Sequence, residues 1–184
     1  MIRSRLAIPL VALALLAVPT LADQKDARLD ALFEKLKSAP SDGEAREAEQ
    51  QIWQIWIEHK NPEIERLMRQ GIAAMNEDDT EEALGDFDQV VKYDKDFAEG
   101  WNKRATIEFV MGDYTASVAD IERTLALEPR HFGALSGLGQ IYLALDRKAG
   151  ALKAFRAALA INPRAEGLRK KVEELEKDVK GNPI

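Results

Sequence analysis

Few side chains in this chain are suited to metal or acid–base chemistry. It has two histidines, His59 and His131, and no cysteine. The His-Glu-x-x-His zinc pattern does not occur, and no thiolate site can form without a thiol. Both histidines stand near the ends of expected helices rather than beside a second ligand. We therefore predict helix-end roles for them, with no metal, no cofactor and no catalytic residue, unless the fold itself assembles a pair.

Two further patterns could bind ions. Gly133, Gly137 and Gly139 are closely spaced, but no strand precedes them and no Gly-Lys-Ser/Thr follows. Close helix packing therefore explains them better than a phosphate loop. The acidic runs Glu77-Asp78-Asp79 and Glu173-Glu174 are typical of a solvated turn and a solvated helix face rather than of a cation site.

The elements that carry these residues repeat with a fixed period. A shift of 34 residues superimposes Leu67, Trp101 and Leu135. The same shift aligns several further sets, which are Gly71, Ala105 and Gly139, then Ala83, Ser117 and Ala151, then Phe87, Ile121 and Phe155. A period of this size indicates stacked helical hairpins.

Each copy reads as two helices joined by a polar turn. In the first copy we expect helix A over about Pro62 to Asn76 and helix B over about Thr80 to Tyr93. Asp79 or Thr80 can cap helix B. The later copies turn at Gly112-Asp113 and at Asp146-Arg147, and they close at Pro129 and Pro163, because proline cannot continue a helix.

Helical segments flank the three copies. Residues 30–63 form an amphipathic hairpin that fits the same register, with Phe33 on Leu67 and Trp53 on Phe87. Glu49, however, falls where later copies carry small residues. The hairpin is thus either a degenerate repeat or an unrelated cap, and it either extends the solenoid or folds across its concave face. A last stripe, consisting of Leu168, Val172, Leu175 and Val179, predicts a terminal capping helix.

The first 22 residues have the layout of a secretory signal. Arg3 and Arg5 precede an apolar run from Leu6 to Val18, and small residues lead to Ala22. We expect cleavage after Ala22. The competing interpretation is an uncleaved anchor, but the run is shorter than the roughly 20 apolar residues that span a bilayer. Without cysteine the exported protein has no disulfide, and a bacterial periplasmic location is the simplest fit.

The charge of the chain restricts its partners. Loss of Arg3 and Arg5 takes the formal net charge from −6 to −8. An acidic protein is a poor nucleic-acid binder, because phosphate contacts need clustered Lys and Arg. We therefore expect a protein or peptide partner, no nucleic acid and no stable membrane span after signal cleavage.

These copies resemble the tetratricopeptide repeat, whose pattern is Trp-x2-Leu-Gly-x2-Tyr, then Ala-x3-Phe-x2-Ala, then Pro. The third copy is nearest to it, with Leu135, Leu138-Gly139, Tyr142, Ala151, Phe155, Ala158 and Pro163 in register. The resemblance implies an all-α, right-handed helical-hairpin solenoid. Its expected units are the signal (1–22), the N-terminal hairpin (23–63), three repeats (64–97, 98–131 and 132–165) and a capping helix with a tail (166–184).

The resemblance also implies a concave groove lined by helix A of each copy. The residues it places there are Met68, Arg69, Ile72, Met75 and Asn76, then Asn102, Lys103, Thr106 and Phe109, then Ser136, Gln140 and Leu143. This mixture of apolar side chains and amides suits an extended or helical peptide. The carboxylate clamp of one family subgroup is missing, since Lys103 is the only basic residue at the matching positions.

The second copy departs from the family pattern at Arg104 and Glu108, where Leu and Tyr are expected. Four residues apart on one helix, they can form an ion pair. The pair either replaces two apolar side chains in the packing or contacts a polar ligand.

The function implied is that of a non-catalytic exported adaptor or scaffold that binds a protein or peptide in its groove. The alternative is a self-associating module that uses the face carrying Trp53 and Trp56 and has no groove ligand. An enzyme is the third interpretation. The identity of the partner and the oligomeric state stay open.

Overall fold

The computed structural model describes residues 23–181, with side chains up to Asp178. In that range it contains nine α-helices and no strand, which confirms the predicted all-α helical-hairpin solenoid. None of these helices is both long and apolar enough to cross a membrane, and the expected signal at 1–22 lies outside the described residues. The helices are α1 (Arg28–Ser38), α2 (Asp42–Ile57), α3 (Pro62–Asn76), α4 (Thr80–Tyr93), α5 (Ala98–Met111), α6 (Tyr114–Leu127), α7 (Phe132–Ala144), α8 (Lys148–Ile161) and α9 (Glu166–Gly181).

Short polar side chains set where the helices begin. The Asp79 carboxylate accepts a hydrogen bond from the Glu82 N–H at 3.0 Å and caps α4. The Asp113 carboxylate accepts from the Ala116 N–H at 3.0 Å and caps α6. Each cap satisfies an N–H group that has no partner within its helix.

The turn between α5 and α6 depends on a glycine. Gly112 ends α5 with φ of 83°, a left-handed conformation that glycine adopts without a Cβ penalty. The N–H of the following Asp113 then bonds to the Glu108 carbonyl at 2.9 Å, as in a Schellman ending. The chain therefore reverses within a few residues, and α6 returns along α5.

Within each repeat a small residue on helix A receives a bulky side chain from helix B. A Cβ built on Gly71 would lie 2.7 Å from the ring of Phe87, and one on Gly139 would lie 2.3 Å from the ring of Phe155. Both rings are fully buried. The 34-residue period thus records a steric requirement, because close approach of the two helices needs a small residue at this position.

Successive repeats stack helix B on the next helix A. Contacts of this kind join α4 to α5, α6 to α7 and α8 to α9. On α9, Val172 and Leu175 are buried against Leu152 and Phe155 of α8. The last helix therefore covers apolar surface that the third repeat would otherwise expose.

The N-terminal hairpin packs differently from the three repeats. Although its helices α1 and α2 pair with each other, α2 lies against α5 and α1 against α8. Their shared core includes Trp56 of the hairpin together with Phe132 and Ala158 of the third repeat. The hairpin therefore does not simply precede the first repeat in the stack but folds back onto the second and third repeats.

Polar contacts also join the N-terminal segment to the loops that connect successive repeats. The side chain of Gln24 bonds to the Asp96 carbonyl and accepts from the Ala98 N–H. Arg130 pairs with Asp30 at 2.7 Å. Arg164 donates to the Ala39 carbonyl at 2.7 Å and pairs with Asp42 at 2.9 Å. The hairpin thus ties all three loops together.

The steric basis of the repeat predicts opposite effects of two Gly→Ala substitutions. Gly139→Ala should lower the free energy of unfolding by about 1–3 kcal/mol, because the new methyl group overlaps the buried Phe155 ring. Gly85→Ala on α4 meets nothing within 4 Å and should raise it by up to about 1 kcal/mol through helix propensity. Urea denaturation followed by circular dichroism measures both. An equal gain in both variants would contradict the steric interpretation.

Candidate functional site

The concave groove contains a pocket of about 390 Å³ between α5 and α7, with α6 at its base. Its lining includes Asn102, Thr106, Phe109, Ser136 and Gln140, all predicted groove residues. Ala105, Ser117, Ile121, Gly133, Gly137 and Ile141 complete it. The family geometry therefore brings these five predicted residues to one cavity.

The pocket is open because α7 carries glycine where its surface faces the groove. A Cβ built on Gly137 would meet only the Ile121 side chain, at 3.6 Å. A Cβ built on Gly133 would lie 2.5 Å from the ring of Trp53. Gly137 therefore leaves free volume for a ligand, whereas Gly133 leaves room for the N-terminal hairpin.

The walls of the pocket combine hydrogen-bonding groups with apolar surface. The Thr106 hydroxyl donates to the Asn102 carbonyl at 2.9 Å. The side-chain carbonyl of Gln140 accepts from Lys171 of α9 at 3.1 Å. Phe109 supplies a half-buried ring beside them. Such a cavity can hold a side chain or backbone segment of a partner without requiring a charge.

The other predicted groove residues lie outside this pocket. Met68 is 1% exposed and belongs to the core of the first repeat, so it offers a partner no accessible surface. Arg69 pairs with Glu65 at 3.1 Å on the solvent side. Ile72, Met75 and Leu143 are half-buried, and Asn76 is exposed. Lys103 pairs with Glu99 at 3.2 Å and lies over the Trp53 ring.

The N-terminal hairpin covers the groove at the N-terminal ends of α5 and α7, which is one of the arrangements that the sequence left open. Trp56 is 1% exposed and stacks on His131, with ring centroids 4.1 Å apart and an interplanar angle of 9°. Trp53 contacts Phe132 edge to face at 5.3 Å. That face is therefore used within the chain, which disfavours the alternative that Trp53 and Trp56 mediate self-association.

His131 connects the hairpin to a buried charge. Its Nδ1 accepts from the Ala134 N–H at 3.0 Å, so the ring caps α7 and its proton resides on Nε2. That nitrogen donates to the Glu99 carboxylate at 2.8 Å. Burial alone would raise the pKa of Glu99, but Lys103 and His131 together hold it below its ordinary value. The Oε2 of Glu99 also accepts from the Asn102 amide at 3.0 Å, whereas its Oε1 is paired with Lys103 but lacks a hydrogen-bond partner.

His59 repeats this arrangement at a more open site. Its Nδ1 accepts from the Asn61 N–H at 3.0 Å, and its Nε2 lies 3.1 Å from Asp94. The Asp94 side chain is 33% exposed, whereas that of Glu99 is 1% exposed. Both histidines therefore organise helix starts. Among residues 23–181, no group of His, Asp or Glu converges in a way that could hold a metal ion.

Arg104 and Glu108 form part of a network between helices. The Arg104 guanidinium bonds to both oxygens of Asp120, at 2.6 and 2.9 Å, and to Asp88 at 2.8 Å. Its Nε lies 3.7 Å from Glu108, and its guanidinium carbon is 4.8 Å from the Trp101 ring centroid. Arg104 thus joins α4, α5 and α6, and neither it nor Glu108 lines the pocket.

Glu108 is the poorly satisfied member of this network. One of its carboxylate oxygens is buried without a hydrogen-bond partner. Burial raises its pKa to about 7, and repulsion from Asp120 adds to the effect while Arg104 opposes it. The charged form is therefore disfavoured in the folded protein.

Stacked helical hairpins around a concave groove define a solenoid protein. The family model of the tetratricopeptide repeat matches residues 102–166. A TPR repeat-containing protein of Rhizobium etli is 37% identical over 155 residues, which cover 84% of this chain and 76% of that protein. The chain therefore belongs to the tetratricopeptide repeat family.

Two solved structures illustrate the shared fold. The crystal structure of MamA superposes with a TM-score of 0.60 at 19% identity, covering 81% of this chain and 84% of that chain. The TPR2B domain of yeast Sti1, in its complex with pHsp70, gives a TM-score of 0.59 at 16% identity, covering 66% and 98%. At these identities the likeness concerns the fold.

The buried histidine cluster predicts unequal costs for two matched substitutions. His131→Asn keeps a capping side chain but removes the Trp56 stack and a bond to buried Glu99, so the free energy of unfolding should fall by about 2–4 kcal/mol. His59→Asn should cost about 1 kcal/mol, since Asp94 stays partly solvated. Denaturant unfolding measures both. Equal losses would show that the hairpin does not depend on the His131 contact.

The raised pKa of Glu108 predicts that replacing its carboxyl group with an amide increases the free energy of unfolding by an amount that depends on pH. Its folded pKa exceeds the unfolded value, so stability should fall as pH rises from about 4.5 to about 7. Glu108→Gln should therefore be more stable than the wild type by about 1–2 kcal/mol at pH 8 and nearly equal at pH 4.5. Urea denaturation at both pH values, with the exposed Glu173→Gln as control, measures the difference. A stability difference between Glu108→Gln and the wild type that does not change with pH would show that Glu108 does not titrate in this range.

Proposed function

We propose that this protein is a non-catalytic, exported adaptor that binds a segment of a partner protein in the open part of its concave groove. The observation that carries the proposal is the pocket of about 390 Å³ between α5 and α7. Helical-repeat proteins commonly bind peptide segments on their concave surface, and this supports a peptide as the ligand of the cavity.

The groove accepts a segment without gripping its terminal carboxylate. Lys103 is the basic residue that such a grip would use, and it is already engaged with Glu99 and with the Trp53 ring. The pocket instead offers the Ser136 hydroxyl, the N–H groups of the Gln140 amide and the Phe109 ring, while the Asn102 amide already donates to Glu99. An internal stretch of a partner therefore suits this site better than a free chain end.

The hairpin restricts where the partner can lie. Because Trp53 fills the space over Gly133, the N-terminal ends of α5 and α7 are occupied by the protein itself. Gly137, one turn further along α7, borders free volume. The partner therefore crosses the groove at the middle and C-terminal parts of the helices.

Export is the second part of the proposal, and the sequence supports it. The basic residues, the short apolar run and the small residues before Asp23 favour a cleaved signal. A chain without cysteine also folds independently of the redox state of its compartment. We propose the bacterial periplasm as the location.

Photocrosslinking in living cells tests the site. A photoreactive amino acid at Thr106, in the pocket, should yield one defined adduct identifiable by mass spectrometry. The matched control is Lys153, an exposed position on α8, where no such adduct is expected. Gly137→Leu, which fills the pocket with a side chain, should abolish the adduct at Thr106.

The outcomes separate the proposal from its alternatives. An adduct that forms equally at Lys153, or that survives Gly137→Leu, would place the partner elsewhere and overturn the groove assignment. Recovery of the uncleaved protein from the cytoplasmic fraction would overturn the proposed export while leaving the groove assignment intact.

A further inference from the structure

The open part of the groove carries a row of apolar side chains near the C-terminal ends of its three helices. Met75, Phe109 and Leu143 occupy equivalent positions of α3, α5 and α7 and are half-buried. Val110, which follows Phe109 on α5, is 62% exposed. Apolar side chains grouped on a surface in this way mark an interaction site rather than isolated exposure.

The pocket and the apolar row are continuous. Phe109 belongs to both, since its ring lines the pocket. On α7, Gln140 of the pocket lies one turn before Leu143. One bound segment can therefore insert a side chain into the pocket and rest its neighbours on the row.

The two ends of this surface differ in charge. The turn between α3 and α4 carries exposed Glu77 and Asp78, which form no ion pair with the described residues, and Asp79, Glu81 and Glu82 follow them. At the other end Asp146 is followed by Arg147 and by Lys148, which pairs with Asp178 at 3.2 Å, and Lys171 reaches Gln140. The surface thus runs from strongly acidic at the first repeat to mixed and partly basic at the third.

We propose that this surface binds a partner segment with central apolar side chains and a basic end, oriented with the basic end over the turn between α3 and α4. The inference rests on the proposed function, because both use the same groove, and it adds the chemistry and direction of the ligand. Opposite charges at the acidic end lower the free energy of one orientation and raise that of the reverse.

A second copy of this chain fits the surface less well than a basic partner. The chain has a formal net charge of −6, so two copies brought together at an acidic turn would repel each other. Charge complementarity therefore selects a different protein as the occupant.

Two labelled peptides test the proposal on the purified protein. Both share a central Leu and Phe stretch, and they differ in carrying three Lys or three Glu at one end. Fluorescence anisotropy should show that the Lys peptide binds about tenfold more tightly at low salt. The difference should shrink as NaCl rises from about 0.05 M to about 0.5 M, because salt screens exposed charges.

Matched variants locate the effect. Glu77→Gln combined with Asp78→Asn should remove most of the preference for the Lys peptide, while Asp79 stays in place as the helix cap. Glu173→Gln combined with Glu174→Gln makes the same change in net charge on an exposed part of α9 and should leave the preference unchanged. A photoreactive group at the Lys end of the peptide should label residues of α3 or α4.

Equal binding of the two peptides, or an equal loss in the α9 control, would overturn the inference. So would labelling of α8 or α9 by the Lys end. Failure of both peptides to bind would overturn it as well. The proposed function stands or falls separately, on whether the Thr106 adduct forms in cells.

Discussion

The stack of Trp56 on His131 is the contact on which the form of the groove depends. His131 caps α7, donates to buried Glu99 of α5 and supports the indole ring of α2 at a centroid distance of 4.1 Å. One imidazole thus connects a helix start, a buried carboxylate and the N-terminal hairpin. Trp56 also packs against Trp53, whose ring lies over Gly133, so this contact sets which part of the groove stays open.

The repeat architecture could be predicted because its cause is local. The 34-residue period reflects a small residue facing a bulky apolar side chain within each repeat, as between Gly139 and Phe155, and proline and capping residues mark the ends. Asp79, one of the two expected caps, is the one that accepts the hydrogen bond. The sequence predicts the helices of the first copy over about Pro62 to Asn76 and about Thr80 to Tyr93, and α3 and α4 have those bounds. Such signals lie within a few residues of their effect, so a sequence reveals them.

The position of the hairpin could not be predicted, because its partners are distant in the sequence. The register that aligns Trp53 with Phe87 describes a repeat, yet Trp53 contacts Phe132 and lies over Gly133. Glu99, Lys103 and His131 did hint at a covering element, because they are charged or polar residues near the inner surface of the repeats. Five predicted groove residues meet at the pocket, while Met68 is buried. The family geometry predicts which backbone positions face the groove, but the neighbouring side chains determine whether the side chain at such a position is accessible.

The contacts between the hairpin and the loops also bear on how the chain folds. An open solenoid has contacts mainly between neighbouring repeats, so its parts can unfold one after another. Here Asp30 pairs with Arg130, and Ala39 accepts a bond from Arg164, across separations of 100 and 125 residues. These contacts join residues far apart in the sequence and so raise the contact order of the chain. Because closing such long loops costs entropy, we expect the contacts to form only after the repeats have folded. We therefore expect a single cooperative unfolding transition, with the chain behaving as a ring of mutually dependent helices rather than a linear array.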